Sequence, residues 1–344
     1  MKGLLYLPVI GLLTACSAVR YIEISACNPS EVTYPPNVRK VLIVNNALPQ
    51  SPDSGYEFNL MGAVQDTCRA NADSALFDAC RALGAAIVES EFFDDVLLFQ
   101  EATRRDDASY ADVQLSSEDV GALCAETGAD AVISFDRLLF DMKKEIRAFP
   151  EGYLAGSIRI DVKGMVRSYL PGRKNPLLTA FVSDSLWIED VFSYSLEDLS
   201  LSLPAPDDAL RIAGNFVGSK ISPLFVPHWT NEVRWFFTNN GARWKEATAY
   251  AASGKWEKAA ERWQYIHDKA TRWSDKARSA SNLALACEIT GQMHKALEWA
   301  ELAFDLFEKN KGDDARTREQ QLYIEALKQR IANDGKLNLQ FGTE

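Results

Sequence analysis

Few side chains in this sequence have the type and spacing needed for catalysis. The three histidines lie far apart in the last third of the chain: His228, His267 and His294. The motifs of zinc proteases, serine hydrolases, phosphate-binding loops and dinucleotide-binding folds are all missing from the sequence. Four carboxylates cluster in one short segment: Glu89, Glu91, Asp94 and Asp95. Such a cluster could form a glycosidase pair or a calcium site, but it is more typical of a solvated loop. We therefore predict no catalytic residue, no metal site and no cofactor.

Cys16 has the clearest chemical context in the chain. It follows the residues LTA at the end of an apolar run that begins after Lys2. A run of this length is typical of a secretory signal and is too short for a permanent membrane span. A large aliphatic residue, two small residues and a cysteine form the lipobox at which bacterial lipoproteins are acylated. We predict that residues 1–16 form a lipoprotein signal peptide and lipobox, and that Cys16 carries the lipid. The expected location is the cell envelope, at the periplasmic face of the outer membrane.

The charge balance restricts the kinds of partner. The 344 residues carry 37 Lys and Arg against 48 Asp and Glu, which gives a formal net charge of −11. Nucleic acids and anionic membranes attract clustered Lys and Arg, so this composition argues against a nucleic-acid partner and against a polybasic membrane contact. The length favours two domains. The cysteines other than Cys16 show no CxxC pair, and a disulfide remains open.

The segment from residue 17 to residue 227 mixes helix and strand signals. The apolar run VRKVLIVN at 38–45 is typical of a buried strand, and residues 86–93 also predict a strand. Ser116 and Asp119 predict a capping box for a helix that Gly128 closes, directly before the strand signal AVISF. Segments 156–169 and 177–188 alternate between apolar and polar residues, which predicts a long antiparallel hairpin.

From residue 228 onward the composition predicts helices to about residue 331. The segment GKWEKA at Gly254 returns as GQMHKA at Gly291, 37 residues later. Glycine permits a tight turn between two helices, and alanine lets the helices approach closely. The residues that define the repeat are Gly254, Trp256, Ala259, Gly291, Ala296 and Ala303. The pattern resembles the tetratricopeptide repeat, whose usual period is about 34 residues.

This resemblance implies helical hairpins with a concave surface that binds proteins or peptides. The candidate contact residues are Trp244, Ala247, Tyr250, Asn282, Leu285 and Ala286. The same third of the chain is rich in tryptophan: Trp229, Trp235, Trp244, Trp256, Trp263, Trp273 and Trp299. We interpret these mainly as packing residues, with an aromatic platform for sugars or peptides as the alternative.

Two further resemblances concern longer stretches. The segments FDACRALG and SSEDVGALCAETGADAVI, followed by two long strands, resemble the small α/β domain of periplasmic assembly lipoproteins of the curli-secretion and penicillin-binding-protein-activator type. The whole layout, including PLFVPHW and GKWEKAAERW, is similar to an uncharacterised family of Bacteroidetes lipoproteins. That resemblance implies an envelope location and supplies no catalytic residues.

The sequence as a whole predicts an α+β protein. We expect a mixed, sandwich-like α/β domain with long antiparallel strands at 17–227, tetratricopeptide-like helical hairpins at 228–335, and a frayed tail at 336–344. The expected function is a lipid-anchored envelope binding or assembly protein, without catalysis, that recruits a protein or peptide partner through the helices. The alternative is a glycan- or peptidoglycan-binding envelope protein, or an enzyme, that uses the tryptophan-rich face or the acidic loop.

Overall fold

The structure, a computed structural model, describes residues 19–65, 69–104, 112–310 and 314–342. The predicted signal peptide and the predicted lipid attachment residue Cys16 lie outside the described residues. The described strands are β1 (Val19–Asn28), β2 (Lys40–Asn45), β3 (Tyr56–Leu60), β4 (Ala63–Gln65), β5 (Asp95–Ala102), β6 (Ala131–Ala148), β7 (Leu154–Tyr169), β8 (Leu178–Ser193) and β9 (His228–Phe237). The helices are α1 (Asp73–Glu89), α2 (Ser117–Thr127), α3 (Leu196–Ser202), α4 (Pro206–Lys220), α5 (Ala242–Ala252), α6 (Trp256–Lys269), α7 (Trp273–Ile289), α8 (Met293–Lys309) and α9 (Asp314–Phe341).

The described chain divides into two compact units. A sheet unit contains residues 29–228 and 336–342, and a helical unit contains residues 19–28 and 229–335. The expected α+β class is confirmed, because a sheet-rich region with antiparallel strands is followed by the helices α5 to α9. The boundary near residue 228 agrees with the change in composition. Two assignments differ from the expectation, since β1 belongs to the helical unit and the last residues belong to the sheet unit.

The sheet unit is built around β6, the longest strand described. β7 pairs antiparallel with almost its whole length, and β8 pairs antiparallel with β7, which confirms the predicted hairpin. On the other edge of β6, β2 pairs with its first half and β3 with its second half, both in parallel. β5 adds in parallel to β2, and β4 pairs with β3. One sheet therefore combines a parallel half and an antiparallel half.

Helices cover the two faces of this sheet unequally. α1 and α4 pack on one face and bury the large core that includes Ile43, Leu76 and Ile133. On the other face, α2 covers only the parallel half, where Leu42, Val44 and Val132 are buried. The capping box of Ser116 and Asp119 begins α2, and Gly128 ends it with a left-handed backbone, as predicted. The antiparallel half presents its second face to solvent, as alternating strands commonly do.

The end of α1 differs from the sequence expectation. Residues 86–89 continue the helix, and the next strand begins only at Asp95. Ile87 and Phe93 of this segment are buried, as a strand at 86–93 would also have required. A short apolar segment does not separate helix from strand, because both elements bury one face.

The helical unit consists of two successive hairpins, a pair of strands and part of α9. α5 and α6 are joined at Gly254, and α7 and α8 at Gly291, with both glycines in the left-handed region at φ 71° and 76°. The strands β1 and β9 pair with each other. Residues 228–237 are thus a strand, although their composition predicts a helix. Their exposure alternates along the strand up to Arg234, a period of two that the aromatic and charged composition obscures.

Candidate functional site

The structure buries most of the residues that were expected to form a partner-binding groove. Trp244 is 6% exposed, and Ala247, Leu285 and Ala286 are also buried; Tyr250 is half-buried against the same core. Phe236 and Phe237 of β9 fill this core together with the helices. These residues therefore stabilise the helical unit and do not offer a free contact surface. The expectation failed because the strand β9 was not foreseen.

Asn282 has a specific structural role within that core. Its side-chain Nδ2 donates to the carbonyl of Phe237 at 2.8 Å, and its Oδ1 accepts from the amide of Phe237 at 2.7 Å. The side chain is fully buried. An amide is the side chain that can satisfy both groups of one backbone residue. Asn282 thus fixes the end of β9 on α7 and is not available to a partner.

The repeat-defining residues have the packing roles that their types suggest. Gly254 and Gly291 make the turns, and the three alanines are fully buried between helices: Ala259, Ala296 and Ala303. Trp256 is half-buried, 6.4 Å from the ring of fully buried Trp263. In contrast, Trp229 is exposed.

A buried ionic network lies inside the helical unit. The carboxylate of Glu288 on α7 accepts hydrogen bonds from Arg234 on β9 and from Arg330 and Tyr323 on α9. The distances are 3.0 Å, 2.5 Å and 2.8 Å respectively. Burial, followed by the charge of Glu288, raises the pKa of Tyr323 far above its ordinary value, so the hydroxyl remains a donor. Two cations and a hydroxyl compensate the buried carboxylate, which identifies the network as structural.

The carboxylates of the acidic loop lie in different local settings. Glu89 ends α1, Glu91 has a positive φ of 53°, and Asp94 faces Arg39 across 3.7 Å at the surface. Among the described residues, no group of three or more His, Cys, Asp or Glu side chains is placed to bind a metal ion. In the part of the chain that the structure describes, no helix is long and apolar enough to cross a membrane.

A buried polar cluster lies where the parallel strands of the sheet unit end. Asp136 interrupts the apolar run of β6 at the point where the register against β7 shifts. Its Oδ1 accepts from Asn46, which follows β2, at 2.8 Å and from Ser134 at 2.5 Å. Its Oδ2 accepts from Arg167 at 2.5 Å and from Tyr169 at 3.0 Å, both on β7. The carboxyl ends of parallel strands are where ligands commonly bind in α/β sheets.

The chemistry of this cluster is that of a closed hydrogen-bond network. A carboxylate has about four acceptor positions, and four donors occupy those of Asp136. Arg167 extends the network to Asp112 at 2.6 Å, and this hydrogen bond holds the pKa of Asp112 below its ordinary value. Burial, and then the charge of Asp136, raises the pKa of Tyr169. Asp136 therefore orders the strand ends and has no position left for a proton-transfer role. The single Asp within AVISFDRLLF is the sequence signal for this cluster.

The exposed face of β8 is the most unusual surface of the sheet unit. Phe181, Trp187 and Phe192 of β8 are 58%, 57% and 62% exposed, and Tyr194, directly after the strand, is 85% exposed. Phe181 and Trp187 share one face by their even spacing. An extra residue in β8 between Ile188 and Val191 changes the alternation, so that Phe192 and Tyr194 follow on the exposed side. We name these four residues the aromatic row.

β8 is also the outermost strand of its sheet. Among the described strands it pairs only with β7, so its other backbone edge has no strand partner. Basic residues accompany the aromatic row on β7, where Arg159 lies opposite Trp187 and Lys163 lies opposite Ser183. A long edge strand with exposed aromatic side chains is a surface that soluble proteins normally protect. The alternation in the sequence predicted β8, but it did not predict that β8 would be the outermost of the described strands.

The comparisons with known proteins identify two families. Residues 38–237 match the family described as Domain of unknown function (DUF8603), which spans almost all of the sheet unit and continues through β9. Residues 245–329 match the family described as Domain of unknown function (DUF6340), which spans the helical hairpins and part of α9. No curated protein matches the chain. The expected membership in a family of uncharacterised proteins is confirmed. Because the first match covers more than half of the chain, the protein belongs to the family described as Domain of unknown function (DUF8603).

Proposed function

We propose that this chain is a lipid-anchored binding protein of the cell envelope that recruits a protein or peptide partner and performs no catalysis. Cys16 carries the lipid in this proposal, and the chain resides in the cell envelope, at the periplasmic face of the outer membrane. The helices α5 to α8 act as a tetratricopeptide-like scaffold. The lipobox pattern and the spacing of Gly254 and Gly291 support these two assignments.

The observation that carries the binding role is the edge strand β8 with its aromatic row. Its outer backbone groups are free of a strand partner among the described residues, and an extended peptide can pair with such an edge. Aromatic side chains supply large contact areas at interfaces, which gives the row a role in affinity. Lys163, opposite Ser183, favours a partner segment that carries acidic residues, whereas Arg159 is already paired with Asp161. The binding surface thus lies on the sheet unit and not in the buried groove of the helices.

Site-specific crosslinking in intact cells tests this role. A photo-reactive amino acid at position 183 or 185 lies on the exposed face of β8, between Phe181 and Trp187. We expect one discrete crosslinked envelope protein, and we expect the double change Phe181→Ala and Trp187→Ala to reduce its yield at least tenfold. The matched control is Leu322→Ala on α9, which removes an equally exposed apolar side chain from the helical unit. Equal yields in both variants would contradict the assignment of the surface.

The same variants distinguish the glycan-binding alternative. Trp187 stands beside Ser185 and Arg159, and an exposed indole next to polar groups can also stack on a sugar ring. Under this alternative the chain sediments with isolated peptidoglycan, Trp187→Ala abolishes the sedimentation, and no protein is crosslinked at position 183. That outcome would replace the protein partner by a glycan.

A further inference from the structure

A pocket of about 260 Å³ in the helical unit begins at the first described residue, Val19. Phe237 and Phe307 form its apolar part, and Trp273 stands at its rim, 37% exposed and edge-on to Phe307 at a ring distance of 6.3 Å. We name this cavity the Val19 pocket. It combines an apolar interior with an indole that is partly in solvent.

Two guanidinium groups line the same pocket. Arg278 of α7 and Arg316 of α9 each lie 5.8 Å from the ring centre of Phe237. Arg316 also donates to Glu319 Oε2 at 2.6 Å. Among the described residues Arg278 has no carboxylate partner, so its donors remain available. Guanidinium groups bind phosphate oxygens through two parallel hydrogen bonds, so Arg278 can bind a phosphate in a pocket that Arg316 also lines.

The position of the pocket in the chain indicates where such a phosphate comes from. Val19 follows the predicted lipid attachment residue Cys16 by three residues. Three residues span at most about 10 Å. A side chain near Val19 can therefore reach the headgroup layer of the membrane that holds the lipid of Cys16. A lipid on Cys16 would thus keep the Val19 pocket near the membrane surface, without fixing its orientation. Tryptophan and tyrosine are enriched at that depth, and exposed Tyr21 of β1 lies beside Arg316.

From these observations we infer that the Val19 pocket binds the phosphate group of an anionic phospholipid in the membrane that anchors the chain. This inference rests on the proposed lipidation of Cys16. Arg278 and Arg316 hold the phosphate, and Trp273 lies among the glycerol groups. The net charge of −11 repels an anionic surface, so a local pair of arginines is needed to orient the protein on it. The net charge of the whole chain argues against a polybasic contact, but it carries no information on a local pair of arginines.

Fluorescence quenching in vesicles tests the inference on the full-length protein. The protein is purified from membranes and reconstituted into vesicles of phosphatidylethanolamine and phosphatidylglycerol that contain a lipid with a nitroxide near the headgroup. The difference between the parent chain and Trp273→Phe isolates the signal of Trp273. We expect the nitroxide to quench Trp273 about twofold, and we expect the double change Arg278→Gln and Arg316→Gln to abolish that quenching. In vesicles of phosphatidylcholine alone, quenching should fall at least twofold.

The control variant removes the same number of charges elsewhere. Arg173→Gln with Lys174→Gln changes two exposed residues in the loop between β7 and β8, and this variant should retain full quenching. Circular dichroism confirms that both double variants fold. If the arginine variant is folded and Trp273 remains quenched, or if the parent chain shows no quenching of Trp273, the phosphate site is overturned.

A separate measurement distinguishes this failure from failure of the anchor. Mass spectrometry of the N-terminal peptide, together with flotation of the vesicles in 1 M salt, reports lipidation of Cys16 alone. A chain that floats while Trp273 stays unquenched keeps the anchor and loses the phosphate site. A chain without lipid that does not bind the vesicles overturns both proposals. A chain without lipid that still shows arginine-dependent quenching supports the phosphate site without the anchor.

Discussion

Arg167 couples two carboxylates at the strand ends of the sheet unit, and this arrangement predicts a dependence of stability on pH. The hydrogen bond from Arg167 holds the pKa of Asp112 below its ordinary value of 3.8. A carboxyl whose pKa is lower in the folded state stabilises the fold above its unfolded pKa. That contribution is lost as the pH falls below 3.8 and passes through the folded pKa.

We expect Asp112→Asn to lower the free energy of unfolding at pH 7 by about 1 kcal/mol, because a neutral amide forms a weaker bond to Arg167. The variant should also lose less stability than the parent chain when the pH falls from 4 to 2. Urea unfolding at pH 7, 4 and 2 measures both effects. Asp53→Asn is the control, since Asp53 pairs with Arg69 in full exposure, and it should change the result by less than about 0.5 kcal/mol. An identical pH profile for Asp112→Asn and the parent chain would refute the assignment.

Individual residues also show what the sequence could and could not reveal. The turn glycines have positive φ angles and the packing alanines are buried, and both roles depend on neighbours within a few residues. Asn282 was assigned to a binding surface, although it bonds the backbone of Phe237, 45 residues earlier in the chain. The same applies to Asp136 and Glu288, whose partners come from distant strands or helices. A single sequence does not show which distant residue a buried amide or carboxylate will bond.

The contact between α1 and α4 depends on glycines that the sequence analysis did not single out. Gly214 and Gly218 lie on the face of α4 that packs against α1. A Cβ atom added at Gly218 would stand 2.2 Å from the carbonyl oxygen of Ala79, and at Gly214 the distance to the carbonyl of Ala75 would be 2.3 Å. Real Cβ atoms do not approach backbone oxygens so closely. The two helices can therefore adopt their separation only with glycine at these positions.

We expect Gly218→Ala to destabilise the protein by about 2 kcal/mol, because the helices must move apart within a packed core. Helix propensity alone would predict the opposite sign, a gain of about 1 kcal/mol. Gly121→Ala on α2 is the matched control, since a Cβ atom there meets nothing within 4 Å. Thermal unfolding should show a lower Tm for Gly218→Ala and an unchanged or higher Tm for Gly121→Ala. A stabilised Gly218→Ala variant would show that α1 and α4 are not in close contact.

Elements with strong local signals were predicted well, and elements that depend on distant partners were not. The capping box of α2 and the alternation of β7 and β8 depend on residues close together in the sequence, and the structure contains both. β9 was missed because its burial of Arg234 requires Glu288 on α7 as a partner. Its aromatic and charged residues suit a strand only where β1 pairs with it and the helices cover it. The buried state of the expected binding groove follows from that single missed element.

The division of the whole chain shows the same limit. The change in composition at residue 228 coincides with the junction between the two compact units. The assignment of β1 to the helical unit could not be inferred from the sequence, because β1 pairs with a strand about 200 residues later. The tail was expected to fray on the basis of its position alone. Instead α9 continues to Phe341, whose ring lies 5.9 Å from Phe92 within the sheet unit.

Gln340 connects this last turn of α9 to the start of the sheet unit. Its Oε1 accepts from the amide of Ser30 at 3.1 Å, and its Nε2 donates to the carbonyls of Ser30 at 3.0 Å and Val32 at 3.1 Å. All of these groups are buried. An unsatisfied buried backbone group costs about 1–3 kcal/mol, so the loss of one side chain should loosen the segment at Ser30.

We expect Gln340→Ala to accelerate hydrogen exchange of the Ser30 amide about tenfold or more, because its acceptor is removed and local opening becomes easier. Deletion of residues 336–344 should have at least the same effect. Gln329→Ala on the same helix is the control, since the side chain of Gln329 is exposed and bonds Asn333, and it should leave the exchange of Ser30 unchanged. If the tail is frayed, the parent chain and all three variants should show the same exchange at Ser30. Exchange at Ser30, measured by mass spectrometry of the peptide that contains it, therefore decides whether the last residues of the chain belong to the folded sheet unit.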